Sequence, residues 1–257
     1  MIDLHCHILP SIDDGAKTLN DSLAMAEKAV SEGIYTIVAT PHHLNGKYTN
    51  ERLDILYGVN RLNEELKRNK IPLNILPGQE VRVNRELLDD YKLGKVATLN
   101  EMNKYLLVEF PTSHVPYYVE KLFYDLQLEG IIPVIAHPER NIELFEEPTK
   151  LFKLVKSGAL TQVTAGSLLG VFGKRIQKFS IKIIEHHLAH IIASDAHNVT
   201  TRLFHLQEGY ELIEKKFGIK TAENFRQRAN SIIRDKGMYL EAPQKISIKN
   251  KFWFFNI

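Results

Sequence analysis

The sequence predicts an α/β protein of the barrel type, and three observations carry that expectation. Seven short apolar, β-branched runs recur along the chain, each closed by polar or Gly/Pro punctuation and most followed by a segment of helical period. The runs are apolar almost throughout rather than alternating, as in parallel strands buried on both faces. A chain of 257 residues that is 44% hydrophobic suits one large α/β barrel or two small domains, and a single domain over residues 1–257 is the simpler reading.

The first run is Ile2 to His5, and His7 lies two residues past His5, so a strand there turns both imidazoles to one face. Leu19, Leu23, Ala26 and Val30 follow at helical spacing and stop at Gly33. The second run, Thr36 to Thr40, leads to His42 and His43, then to a helix marked by Ile55, Val59, Leu62 and Leu66 that ends before Pro72. The third, Asn74 to Pro77, precedes Glu80 and Arg82, and the fourth, Tyr105 to Val108, precedes Glu109. Val119, Leu122 and Leu126 mark a helix stopping at Gly130, ahead of the fifth run, Ile132 to Ala136, with His137 and Arg140 beyond it. The sixth, Leu160 to Thr164, offers no evident ligand, only Ser167 or backbone. After the seventh, His190 to Ser194, come Asp195 and His197, and two helical patterns follow: Leu203, Leu206, Tyr210, Ile213, Phe217, then Phe225, Ala229, Ile232. In an α/β barrel the carboxyl ends of the strands converge on one face, where barrel active sites are built. Any one of these polar side chains reads equally well as an ordinary loop residue; their recurrence in phase with the runs does not.

Composition narrows the partners. Lys+Arg 33 against Asp+Glu 31 gives a net charge of +2, which supplies no global field for nucleic acid or for a membrane surface. No apolar run approaches eighteen residues, and the first motif starts at residue 2, where a signal peptide would lie, so the chain reads as cytoplasmic without membrane insertion. One cysteine, Cys6, excludes an intrachain disulfide framework. Phe252, Trp253, Phe254 and Phe255 beside Lys249 and Lys251 are expected to pack on the barrel rather than to bind nucleic acid or lipid.

His5, His7, Asp14, His42, Glu80, Glu109, His137, Asp195 and His197 are all competent metal ligands. Mixed imidazole and carboxylate ligation suits Mn, Fe or Zn, and the lack of a cysteine pattern argues against a structural thiolate zinc site. So many ligands exceed one ion and would serve roughly two or three if a carboxylate bridges. Such clusters activate water and clamp phosphoryl oxygens, and Arg140 in A-H-P-E-R would add a planar guanidinium.

M-I-D-L-H-C-H-I-L-P and the D-D-G after it, T-P-H-H at 40–43, G-Q-E-V-R at 78–82, A-H-P-E-R at 136–140 and S-D-A-H-N at 194–198 together resemble the PHP superfamily of polymerase and histidinol phosphatase metallo-phosphoesterases. More narrowly, they resemble the manganese-dependent bacterial protein-tyrosine phosphatases of capsule and exopolysaccharide loci, the CpsB/CapC/YwqE type. The resemblance implies a distorted TIM-like (β/α)7 barrel of the PHP type and three divalent ions, Mn²⁺ with Fe or Zn as alternatives. It implies that His5, His7 and Asp195 hold one ion with Glu80 as bridge, that Glu109 and His137 join Glu80 around a second, and that Asp14, His42 and His197 hold the third. Arg140 would bind phosphate and Arg202 would be a second anionic contact. His43 and Arg82 lie inside matched motifs, and His43 would support ligands rather than bind. His114, His186, His187, His190 and His205 match nothing and read as surface or core residues. The implied partner is a phosphotyrosine protein, the cognate tyrosine kinase that controls polysaccharide export.

Cys6 is no phosphatase nucleophile, because the position where a C-x5-R loop needs its arginine holds Ile12. Alternation along the strand turns Cys6 away from the histidines beside it. Competing readings are a histidinol-phosphate phosphatase with the same metal chemistry, a non-catalytic PHP module of the kind attached to polymerases, and a nuclease. I-D-D-G and H-P-E-R favour the tyrosine phosphatase branch, and the near-neutral charge disfavours the nuclease.

Overall fold

A computed structural model describes residues 1–247, so the aromatic run Phe252 to Phe255, expected to pack on the barrel, lies outside the described residues. The elements follow in order: β1 (Ile2–Cys6), α1 (Leu19–Ser31), β2 (Thr36–Ala39), β3 (His42–His43), α2 (Arg52–Arg68), β4 (Asn74–Pro77), β5 (Glu80–Arg82), α3 (Leu87–Lys92), β6 (Tyr105–Glu109) and α4 (Val119–Leu128). Then come β7 (Ile132–Ala136), α5 (Ile142–Glu146), α6 (Pro148–Lys156), β8 (Leu160–Thr164), α7 (Ala165–Leu169), α8 (Lys174–Glu185), β9 (Ile191–Ala193), α9 (Leu206–Phe217) and α10 (Ile219–Ile233). All seven apolar runs are strands. β3 and β5 are additional, and each carries candidate ligands within it rather than past its end.

Every strand pairing is parallel, in two sheets of order β1-β2-β4 and β3-β5-β6-β7-β8-β9. Among the described residues the ladder is therefore divided rather than one closed ring, a departure from the simple barrel with a physical cause at each break. Pro41, between β2 and β3, has no N–H to donate. Gly78, between β4 and β5, lies so close to β2 that a Cβ there would come within 2.6 Å of Val38. Across the breaks Thr40 N donates to Cys6 O at 3.0 Å and Glu80 N to Pro41 O at 3.1 Å, so the strand positions stay adjacent. β9 returns to β1 through one bridge, Cys6 to Ala196, flanked by Asp195 N to His5 O at 2.8 Å and His7 N to Ala196 O at 2.9 Å.

Two apolar layers stabilise this arrangement, and the strands alternate between them. Tyr105, Leu107, Val134 and Ala136 point into an inner cluster, while Leu106, Val108, Ile135 and Val163 pack outward against the helices. β1 breaks the rule: Ile2 and Leu4 are in the inner cluster but Cys6 is in the outer one, because the pairing with β2 slips between Asp3 and Cys6. A one-residue slip moves all later side chains to the opposite face. Without it Cys6 would follow Ile2 and Leu4 inward, and His5 and His7 would face helices. The buried Asp3 carboxylate fixes the slipped segment, accepting from Ser194 N at 2.9 Å and from the Ser194 hydroxyl at 2.5 Å. Burial pushes its pKa up to about 6, against the opposing pull of those hydrogen bonds.

The expected helices form where the apolar spacing marks them, although the one beginning at Leu203 starts at Leu206. Thr18 and Asp21 close a capping box on α1, whose Met25, Ala26 and Ala29 are buried. The sequence patterns named above leave five helices unmarked: α3, α5 and α7, which have six residues or fewer, too short to show a helical period, and the longer α6 and α8, whose buried Leu151, Leu154 and Val155 and Phe179, Ile183 and Ile184 do carry one. Among the described residues no helix is long and apolar enough to cross a membrane.

Candidate metal centre

All nine candidate ligands and both arginines meet at the carboxyl ends of the strands. His5 Nε2 and His7 Nε2 stand 3.2 Å apart, each 3.4 Å from Glu80 Oε2 and 3.3–3.4 Å from Asp195 Oδ1. Glu80, at the start of β5, also lies 2.9 Å from His42 Nδ1 and 2.8 Å from His137 Nε2, so four imidazoles converge on one carboxylate. Asp14 Oδ1 faces His42 Nε2 at 3.4 Å and His197 Nε2 at 3.3 Å. Glu109 stands farther off, 3.9 Å from His42 and from His137, and pairs with Arg82 at 2.9 Å. Two of these residues sit in left-handed backbone, His137 with φ 32° and Asp195 with φ 54°, which turns their side chains back over the mouth as each strand ends.

The donor set fits divalent metal. Asp14 Oδ1, His42 Nδ1, Glu80 Oε2, Glu109 Oε2 and His197 Nε2 are buried without hydrogen-bond partners, a burden of about 1–3 kcal/mol each that coordination would relieve. Three sets place one ligand atom per residue within 4.8 Å of each other: His7, Asp14, His42 and His197; His5, His7 and Glu80; His42, Glu80 and Glu109. The sets differ from the expected grouping in that His7 also joins the Asp14 set, His42 stands in place of His137 beside Glu80 and Glu109, and neither His137 nor Asp195 belongs to any of the three. His42 and His137 approach opposite oxygens of Glu80, Oε2 at 2.9 Å and Oε1 at 2.8 Å, and Asp195 gives its Oδ2 to two arginines.

Charge and burial are balanced tightly. Burial would raise the Glu80 carboxyl, but His5, His137 and His42 hold it well below the usual carboxylate range. Burial and the Glu80 charge push Glu109 up to about 7. Burial and the Arg140 charge bring His137 down to about 4, and burial with His7 does the same to His197, leaving both imidazoles neutral and able to ligate at pH 7.

Several residues that the sequence reading left unassigned orient the ligands. Gln162 Oε1 lies 2.8 Å from His5 Nδ1 and Asp13 Oδ2 2.7 Å from His7 Nδ1, which turns both Nε2 atoms to the centre. Gln162 had a visible signal, a polar side chain in the middle of an apolar run. Asp13, first of the D-D-G pair, also accepts from Gly15 N at 2.8 Å. Gly15 tolerates no side chain, since a Cβ would fall 2.0 Å from His7 O. Glu139 is buried and accepts from Thr164 N at 3.0 Å, tying the turn that carries His137 and Arg140 to the end of β8.

Arg140 and Arg202 both pair with Asp195 Oδ2, at 2.7 and 2.8 Å, while its other oxygen faces the histidines. They edge a pocket of about 430 Å³ lined also by Glu80, Glu109, His137 and Phe172. Ser167 is buried in α7 and does not line it. Cys6 Sγ points toward Ala196 O at 3.5 Å, and burial pushes its thiol well up. His43 is buried on β3 and outside the three ligand sets. His190 is also buried, bonded to Thr161, whereas His114, His186 and His205 make local contacts at or near the surface.

The family model for capsular polysaccharide synthesis, CpsB/CapC, matches residues 1–234. The chain is similar to the tyrosine-protein phosphatase YwqE of Bacillus subtilis (strain 168), 49% identical over 255 residues, covering 99% of this chain and 100% of that one. It is 31% identical to the tyrosine-protein phosphatase CpsB of Streptococcus agalactiae serotype III, covering 91% and 99%. It superposes with a TM-score of 0.94 and 48% identity on a crystal structure from a study of YwqE from Bacillus subtilis and CpsB from Streptococcus pneumoniae, described as unique metal-dependent tyrosine phosphatases, covering 96% of this chain and 100% of that one.

Proposed function

The chain belongs to the CpsB/CapC family of capsular polysaccharide synthesis, and on that premise we propose that it is a metal-dependent protein-tyrosine phosphatase acting in the cytoplasm on a cognate tyrosine kinase. The observation that carries the reading is the convergence of five histidines and four carboxylates, five of their buried atoms unpartnered, beside two arginines at one pocket. We assign His5, His7, Asp14, His42, Glu80, Glu109, His137, Asp195 and His197 as ligands of up to three ions, with Mn²⁺ favoured by the mixed donor set. The divided sheets are read as a distorted seven-position (β/α) barrel.

Bound divalent ions supply Lewis acidity, which lowers the pKa of water and neutralises phosphoryl oxygens. The remaining work falls to side chains. Arg140 and Arg202 hold two guanidinium planes at the pocket edge, where equatorial phosphoryl oxygens accept hydrogen bonds. Asp195 fixes both planes through one oxygen, so they need little reorganisation when charge develops. Gln162 and Asp13 keep the His5 and His7 rings in one tautomer.

The test is turnover by chelator-stripped protein reloaded with Mn²⁺ or Mg²⁺, on phosphotyrosyl peptides and on histidinol phosphate. Stripped protein should be inactive and Mn²⁺ should restore more activity than Mg²⁺, with the phosphotyrosyl peptide as the better substrate. Full activity in excess chelator sinks the metal reading; much faster cleavage of histidinol phosphate sinks the branch.

A further inference from the structure

Phe172 is an aromatic side chain in an unusual place. It belongs to neither apolar layer among the described residues and instead lines the charged pocket, half-buried. Its ring centroid lies 5.3 Å from the Arg140 guanidinium carbon, so Arg140 is held between this ring and Asp195 Oδ2. The turn that presents it, between α7 and α8, is built rather than loose. Gly170 and Gly173 bracket Val171 and Phe172 with φ of 86° and 95°, a left-handed conformation that side chains resist. Gly170 N donates to Ser167 O at 3.2 Å, Val171 N to Gly166 O at 3.0 Å and Gly173 N to Gly170 O at 2.9 Å. The Gln177 amide donates to Leu168 O at 2.9 Å and ties the turn to α8.

Resting on the phosphatase reading above, we propose that Phe172 is the specificity residue of the site, the face against which the aromatic ring of the substrate packs while Arg140 takes its phosphoryl group. The other pocket walls explain why one aromatic suffices. Glu80, His137, Arg140 and Asp195 are charged or polar and serve the phosphoryl end, and of the apolar side chains at the pocket Phe110 and Ala136 are almost fully buried, leaving the half-buried Phe172 as the accessible apolar face. An aryl phosphate has its ring one ester oxygen from phosphorus, so the ester whose phosphate meets Arg140 has its ring beside Phe172. An alkyl phosphate of serine has no face to offer there.

The experiment separates ring recognition from phosphate recognition with inhibitors that cannot be hydrolysed. Phenylphosphonate and methylphosphonate share the charged group and differ in the ring. In Mn²⁺-loaded Phe172→Ala, the inhibition constant of phenylphosphonate should rise roughly tenfold, as for loss of an aromatic contact, while those of methylphosphonate and inorganic phosphate stay within about twofold. The KM of a phosphotyrosyl peptide should rise with the first. Phe172→Tyr keeps the ring and should bind phenylphosphonate within about twofold of the parent, which controls for a variant that merely misfolds. Equal weakening of all three ligands in Phe172→Ala overturns the proposal and leaves Phe172 as a support for Arg140 alone. Failure of the parent protein to cleave phosphotyrosine at all overturns the phosphatase reading and this proposal with it.

Discussion

Replacing Glu80 by Gln should empty more of the centre than replacing a carboxylate that serves one ligand set. Gln keeps the shape and the volume and removes one negative charge, at a place where His5, His7, His42 and His137 all come within 3.4 Å of the carboxylate. Unit charges 4 Å apart interact by about 4 kcal/mol at an effective dielectric of 20, and a divalent ion beside the carboxylate feels at least that. At about 1.4 kcal/mol per tenfold, the loss is on the order of 10³ in metal affinity. The effect should reach two ions, because Glu80 belongs to two of the three ligand sets, those of His5 and of Glu109. Elemental analysis after dialysis against limiting Mn²⁺ measures this directly: Glu80→Gln should hold fewer ions per chain than Asp14→Asn, whose carboxylate serves a single set. Ion content and turnover equal to the parent's in Glu80→Gln would refute the bridging role.

Three further outcomes follow from particular contacts. Arg140→Ala should lower the rate by on the order of 10²-fold with ion content unchanged, since it removes a donor rather than a ligand, and a variant that loses metal instead would show Arg140 holding Asp195 in place. Cys6→Ser should keep most activity and thiol alkylation of the folded protein should do little, because Sγ lies in the outer layer; lost turnover with metals still bound contradicts that. His190, buried and pushed down to about 3, contributes stability that is fully present above its unfolded pKa near 6.5 and is lost as pH falls toward 3. Between pH 7.5 and 5 the apo protein should therefore lose about 2 kcal/mol more than His190→Gln in urea unfolding, and equal losses in the two proteins would remove His190 from the acid limb.

The sequence was most readable where chemistry interrupts an apolar pattern. His5, His42, Glu80, Glu109, His137 and Asp195 stand out because each ends or follows a run that is otherwise hydrophobic, and the strands carry them to one face. Less readable were features set by hydrogen-bond register. The slip between Asp3 and Cys6 leaves no mark in composition, yet it decides which face of β1 meets the site. β3 and β5 were hidden by their brevity and by Pro41 and Gly78, which read as ends of strands rather than as interruptions. Which ligands share an ion depends on contacts made across strands, such as that of His137 Nε2 with Glu80 Oε1 at 2.8 Å, which spacing along the chain does not encode.

The bridge from Cys6 to Ala196 joins the opening strand to the closing one across 190 positions of chain. During synthesis at about 5–20 residues per second, β1 emerges roughly 10–40 seconds before the segment it needs on that side. For all that time β1 has one parallel neighbour and one bare edge, the kind of edge that recruits other chains. His5 and His7 meanwhile lack Asp195 and His197, so a nascent chain cannot complete the centre until almost its whole length is made. A chain truncated before β9 would carry seven of the nine ligands, His5, His7, Asp14, His42, Glu80, Glu109 and His137, on an unsealed sheet. Loss of the last strand should thus surface first as aggregation during expression, ahead of any measurable defect in turnover.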